Sequence, residues 1–146
     1  MATEIQKLRE ETGAGIMDCK RALKEAGGNY DFAKKLIEKQ GLAKAEKKSD
    51  RTTGAGLLEA YVHNGRVGVL LEIRSETDFV LRSEPVKSLA HDLVLQIAAM
   101  APETAEDLLK QPYIKDDSKT VEEVIKGIIA IVGENLKVAK FTRYRI

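Results

Sequence analysis

Apolar residues recur along this chain with two different periods, and the period changes near residue 55. Before that point the spacing is helical: Ile5 and Leu8, then Ile16, Cys19, Ala22 and Leu23, then Phe32, Ala33, Leu36 and Ile37. Three short helices are predicted. Thr3 with Gln6 reads as a capping box for the first, and Thr12-Gly13-Ala14-Gly15 breaks it. Gly27-Gly28 closes the second, Asn29 caps the third, and Gly41 is expected to end it. Beyond the change, Val67, Val69, Leu71 and Ile73 alternate as a half-buried strand should. The strand Leu57 to Val62 joins it through His63-Asn64-Gly65-Arg66, and an Asn-Gly pair between apolar runs signals a hairpin because both residues tolerate positive φ.

The segment Ser75-Glu76-Thr77-Asp78-Phe79-Val80 follows as a loop, and a helix starts near Ser83 with Pro85 in its first turn. That helix carries a long apolar face of Val86, Leu89, Ala90, Leu93, Val94, Ile97 and Ala98. A shorter helix around Glu103–Leu109 stops before Pro112. Thr120 and Glu123 cap a further helix bearing Val121, Val124, Ile125, Ile128 and Val132, closed by Gly133. Leu136–Ile146 mixes β-branched, aromatic and basic residues and reads as a third strand, its alternation slipping between Val138 and Phe141 as at a bulge. The order β-β-α-α-α-β predicts an α+β fold, a small three-stranded antiparallel sheet with helices on one face. The chain divides into a three-helix domain at 1–45, a linker at 46–55 and an α+β core at 56–146.

Composition narrows the classes. In 146 residues, 43% are hydrophobic and 32% charged, which excludes a disordered chain, and the net charge of +1 gives no global attraction to nucleic acid or anionic lipid. Lys34 to Arg51 holds seven basic residues against Glu38, Glu46 and Asp50, but no aromatic stacking platform accompanies them, so the stretch reads as a solvated tether without direct nucleic-acid contact. The lone Cys19 excludes a disulfide framework and suits a reducing compartment. No apolar run is long enough for a membrane span and the first residues have no signal-like core, so a cytoplasmic protein is expected.

Catalytic chemistry is absent from the pattern. His63 and His91 occupy surface-like positions, Cys19 faces inward, and no phosphate-binding, dinucleotide or zinc-protease motif occurs. Neither an enzyme nor a bound metal or cofactor is expected. The segment Glu76–Val80 leaves two readings open: Phe79 folds back into the core with Asp78 capping the turn, or Phe79 is an exposed aromatic anchor for another protein. On spacing alone both readings stay open.

Three segments resemble one family. Thr12-Gly13-Ala14-Gly15-Ile16-Met17-Asp18-Cys19-Lys20-Arg21-Ala22-Leu23 is similar to the N-terminal signature of bacterial elongation factor Ts. Glu76-Thr77-Asp78-Phe79-Val80 resembles its second signature, and Gly133-Glu134-Asn135-Leu136 with the basic-aromatic strand after it resembles its third. The resemblance implies a guanine-nucleotide exchange factor for elongation factor Tu, with residues 1–45 as a ubiquitin-associated-like domain docking on the partner. It implies that Thr77, Asp78, Phe79 and Val80 form the loop that dislodges the partner's magnesium, with Phe79 as the wedge. Arg9, Met17 and Lys20 would be further partner contacts. The chain looks like the short, single-core form, trimmed between Met100 and Tyr113, with Gln96 where short relatives often place a histidine. Thr142 stands where some relatives carry a subunit-bridging cysteine, so the implied homodimer would be non-covalent. A plain binding module and an RNA-binding accessory are the alternatives.

Overall fold

In the computed structural model, which describes residues 2–146, the chain opens with α1 (Ala2–Thr12), α2 (Ile16–Glu25) and α3 (Tyr30–Glu46). Leu8, Cys19, Ala22, Leu23, Ala33 and Ile37 bury their side chains together at the centre of these helices. Asn29 caps α3 as predicted, its side chain accepting from the Phe32 N–H at 3.0 Å. Two expectations fail here. Thr3 lies inside α1 and caps nothing, and α3 runs past Gly41 to Glu46. Gly41 is instead a crossing point: a Cβ there would stand 3.4 Å from the Ala130 Cβ of the helix packed against α3. A glycine read locally as a stop was selected by a neighbour 89 positions away in the chain.

The hairpin of β1 (Ala55–His63) and β2 (Val67–Ser75) turns through Asn64 and Gly65 with φ of 51° and 65°, as the Asn-Gly pair requires. After it come α4 (Asp78–Leu81), α5 (Glu84–Met100), α6 (Ala105–Lys110), the short strands β3 (Pro112–Tyr113) and β4 (Asp116–Thr120), α7 (Val121–Val132) and β5 (Leu136–Arg145). The main sheet has the order β1-β2-β5, antiparallel throughout. Lys140 pairs with Glu72 and Val138 with Ile73, which leaves Ala139 as the extra residue of a bulge where the alternation slips. Thr120 and Glu123 form the predicted capping box on α7, and Gly133 ends it at φ 78°.

Val69, Leu71 and Ile73 of β2 point into a core shared with Val86, Leu89, Ala90, Leu93, Val94 and Ile97 of α5 and with Val121, Ile125 and Ile129 of α7. The β3–β4 pair was not predicted, because Asp116-Asp117-Ser118-Lys119-Thr120 offers no apolar alternation to read. The segment between α3 and β1, expected to be a free tether, is anchored: the buried Asn135 donates from Nδ2 to the carbonyls of Ser49 (3.3 Å) and Arg51 (2.9 Å). Ala45 at the end of α3 joins the core cluster, a Lys126–Glu46 ion pair adds to the α3–α7 contact, and Lys119 of β4 pairs with Glu38 of α3.

Close approach at Gly41 sets the first prediction. Gly41→Ala should be tolerated, since its methyl would meet Ala130 at ordinary contact distance. Gly41→Leu overfills the crossing and should lower stability by about 1–3 kcal/mol in urea unfolding. Equal midpoints for the two variants would show that the helices do not meet there.

Candidate functional site

The segment 75–80, expected as a loop, closes into a single helical turn. Ser75 at the end of β2 is fully buried and donates from its hydroxyl to the Thr77 carbonyl at 2.6 Å. Thr77 then caps α4: its backbone is extended (φ −132°, ψ 154°) and its Oγ1 accepts from the Val80 N–H at 3.5 Å. One turn of helix sends successive side chains to opposite destinations. Val80 (6% exposed) and Leu81 go into the core, while Phe79 is left 83% exposed beside the exposed Thr77 and Asp78. Val80 therefore holds the turn from inside. The ring of Phe79 does not return to the core.

The far side of this turn is braced by the junction of α7 and β5. Both oxygens of Glu134 accept from Thr77, from its N–H at 2.9 Å and its hydroxyl at 2.8 Å. The Glu76 carboxylate accepts from the Asn135 N–H at 2.8 Å and faces Arg51 at 3.6 Å. Neither Glu134 nor Asn135 stood out as a residue with a role of its own when the chain was read in order. No local pattern marks two residues that act 57 and 59 positions away.

Arg9, Met17 and Lys20 are all exposed, Met17 by 69%, but they belong to α1 and α2 and to the other packing cluster. Ile16 and Phe32, read as inward-facing, are exposed as well, so the N-terminal ends of α2 and α3 present apolar side chains to solvent. Between these helices the charges pair among themselves. Lys44 bonds Asp18 at 3.0 Å and, with Arg21, holds its carboxyl below the ordinary value; Lys34 pairs with Glu11 at 3.3 Å.

The remaining candidates are structural. Burial pushes the Cys19 thiol up, away from reactivity. His63 bonds the Tyr61 hydroxyl through Nδ1 at 2.7 Å on the hairpin surface. Gln96 is fully buried with its amide satisfied. Its Nε2 donates to the Gln111 side chain and the Pro112 carbonyl, each at 3.1 Å, and its Oε1 accepts from the Ile114 N–H at 2.8 Å. That position faces the segment after α6, not solvent. The clue was its place three residues after Leu93 on the apolar face of α5. Nearby, the Tyr113 hydroxyl donates to Asp92 at 2.9 Å; burial, with that carboxylate, pushes the phenol well above its ordinary value.

A family model described as elongation factor TS matches residues 76–146. The chain is 43% identical to elongation factor Ts of Thermotoga petrophila over 186 residues, covering 97% of this chain and 94% of that protein. That alignment is longer than the chain itself, so the relative has residues that this chain lacks. The chain is 46% identical over 143 residues to elongation factor Ts of a Nostoc species, covering 97% of this chain and spanning 45% of that protein. It is 41% identical over 191 residues to the "Polyprotein of EF-Ts, chloroplastic" of Oryza sativa subsp. indica, covering 99% of this chain but only 17% of the polyprotein.

The buried amide generates a prediction of its own. Gln96→Leu keeps the volume but strands the Ile114 N–H and the Pro112 carbonyl, which should lower stability by about 1–3 kcal/mol in urea unfolding. An unchanged midpoint would mean those groups find other partners.

Proposed function

The chain belongs to the elongation factor Ts family, and from that premise we propose that it is a guanine-nucleotide exchange factor for elongation factor Tu, working in the bacterial cytoplasm during translation elongation. Among the described residues no helix is long and apolar enough to cross a membrane. In this reading the protein makes and breaks no covalent bond. It speeds GDP release by preferring the nucleotide-free partner, since a factor that bound both forms equally would shift nothing. Phe79 is the wedge, entering the partner near its magnesium and phosphate site, Asp78 supplies polar contacts beside it, and Thr77 caps the turn that carries them both. Disturbing a magnesium ion that neutralises phosphate charge weakens nucleotide binding with no chemical step. By reciprocity, incoming nucleotide weakens the factor's hold and releases it.

The observation that carries this reading is the 83% exposure of a large aromatic ring on a turn that Val80 and Leu81 fix in the core. An isolated apolar ring held in water on a rigid support has the form of an interface anchor. The three-helix unit serves as the second contact, a ubiquitin-associated-like module using Arg9, Met17 and Lys20 together with the exposed Ile16 and Phe32. Fluorescent GDP release from elongation factor Tu tests the anchor. Phe79→Ala should slow stimulated release by about tenfold or more while Tm falls only a few degrees. Release within twofold of the native rate, or loss of folding, would contradict the assignment.

We further propose a non-covalent homodimer. The face of the sheet turned away from α5 carries exposed Leu58, Val62, Leu70 and Tyr144, brought together by the pairs Ala60–Leu70, Val62–Gly68 and Gly68–Tyr144. Contiguous apolar rows of this kind are buried in stable proteins, and stacking two such faces would bury both at once. Sedimentation at micromolar concentration should give a dimer that Leu70→Glu converts to monomer. A monomeric native protein would contradict this.

A further inference from the structure

Resting on the exchange reading, we propose that Glu134 is a positioning residue that sets the aim of Phe79. A four-residue helix cannot hold its own direction, because one turn fixes several backbone dihedrals for very few hydrogen bonds. Something outside α4 must hold it. From inside, Val80 and Leu81 fix its depth; rotation about that buried edge is opposed at Thr77, the residue that caps it. Both donors of Thr77 go to the one Glu134 carboxylate, and charge-assisted bonds of this type are the stronger class. The Thr77 hydroxyl is thereby oriented: its proton goes to Glu134, so its lone pair is turned to the Val80 N–H.

Glu134 is itself held. It follows Gly133, whose left-handed backbone ends α7, and it precedes Asn135, whose N–H is taken by Glu76. The two chain segments thus exchange carboxylates, Glu134 onto Thr77 and Glu76 onto Asn135, and Asn135 also binds the carbonyls of Ser49 and Arg51. This clasp joins the end of β2, the start of β5 and the segment leaving the three-helix unit at one point, at the cap of the turn that carries Phe79. Engaged by two donors and partly shielded, Glu134 acts through Thr77 and not by touching the partner.

The test is stimulated GDP release measured across factor concentrations, with the full chain and elongation factor Tu loaded with fluorescent GDP. Glu134→Ala should lower the maximal rate about fivefold or more, as misplacement of a reacting contact does, and leave the half-saturating concentration within twofold. Added to Phe79→Ala it should cause no further loss, because a residue that only aims the ring has nothing to aim. Thr77→Ser, which keeps both donors, should retain the native maximal rate, and Thr77→Val, which loses one, should fall between. If Glu134→Ala does not fold, the Thr77 pair carries the test alone: equal rates for Ser and Val overturn the proposal. A maximal rate within twofold for Glu134→Ala, or losses that multiply in the double variant, also overturns it. An impaired Phe79→Ala beside an intact Glu134→Ala sinks the clasp only, whereas an unimpaired Phe79→Ala sinks the exchange reading with it.

Discussion

Val69, Leu71 and Ile73 on the central strand lie beneath the continuous apolar face of α5, and the rest of the molecule is arranged around that contact. It fixes which face of the sheet is inside, because a strand's side chains alternate and a shift by one residue would turn all of them outward. With α5 and α7 on one face, the other face is left with Leu58, Val62, Leu70 and Tyr144 in water. The core around this contact is filled without Phe79. Val80 and Leu81 take the last inward places, so the ring has nowhere to go but out.

The candidate site follows from this economy of space. A strand that ends at a buried serine, a threonine that caps a single turn, and a carboxylate from the junction of α7 and β5 together make a rigid pedestal for one aromatic side chain. Several contacts attach the three-helix unit to the same frame. Gly41 lets α3 pass close to α7, and Asn135 takes the carbonyls of Ser49 and Arg51. Two exposed regions, the ends of α2 and α3 and the tip of α4, are therefore carried on one connected scaffold.

What the amino-acid sequence made legible was local. Asn64-Gly65, Asn29 before α3, Thr120 with Glu123, and the slip around Ala139 each act within a few residues, and each was readable for that reason. Gly41 was misread because its purpose lies across a helix crossing, and Ile16 and Phe32 because helical spacing does not say where a three-helix cluster ends. α4 has too few residues to show a period. Phe79 became a candidate through its resemblance to a family signature, since periodicity alone left core and surface readings open. Glu134 lies within a segment that resembles the family's third signature, yet its bond to Thr77 spans 57 residues and emerges only from the fold.

Affinity for the partner in its two states tests the central claim most directly. By calorimetry, the full chain should bind nucleotide-free elongation factor Tu at least about a hundredfold more tightly than the GDP-bound form, since only differential affinity can shift the nucleotide equilibrium. Equal affinity for the two forms would contradict the account, however tight the binding.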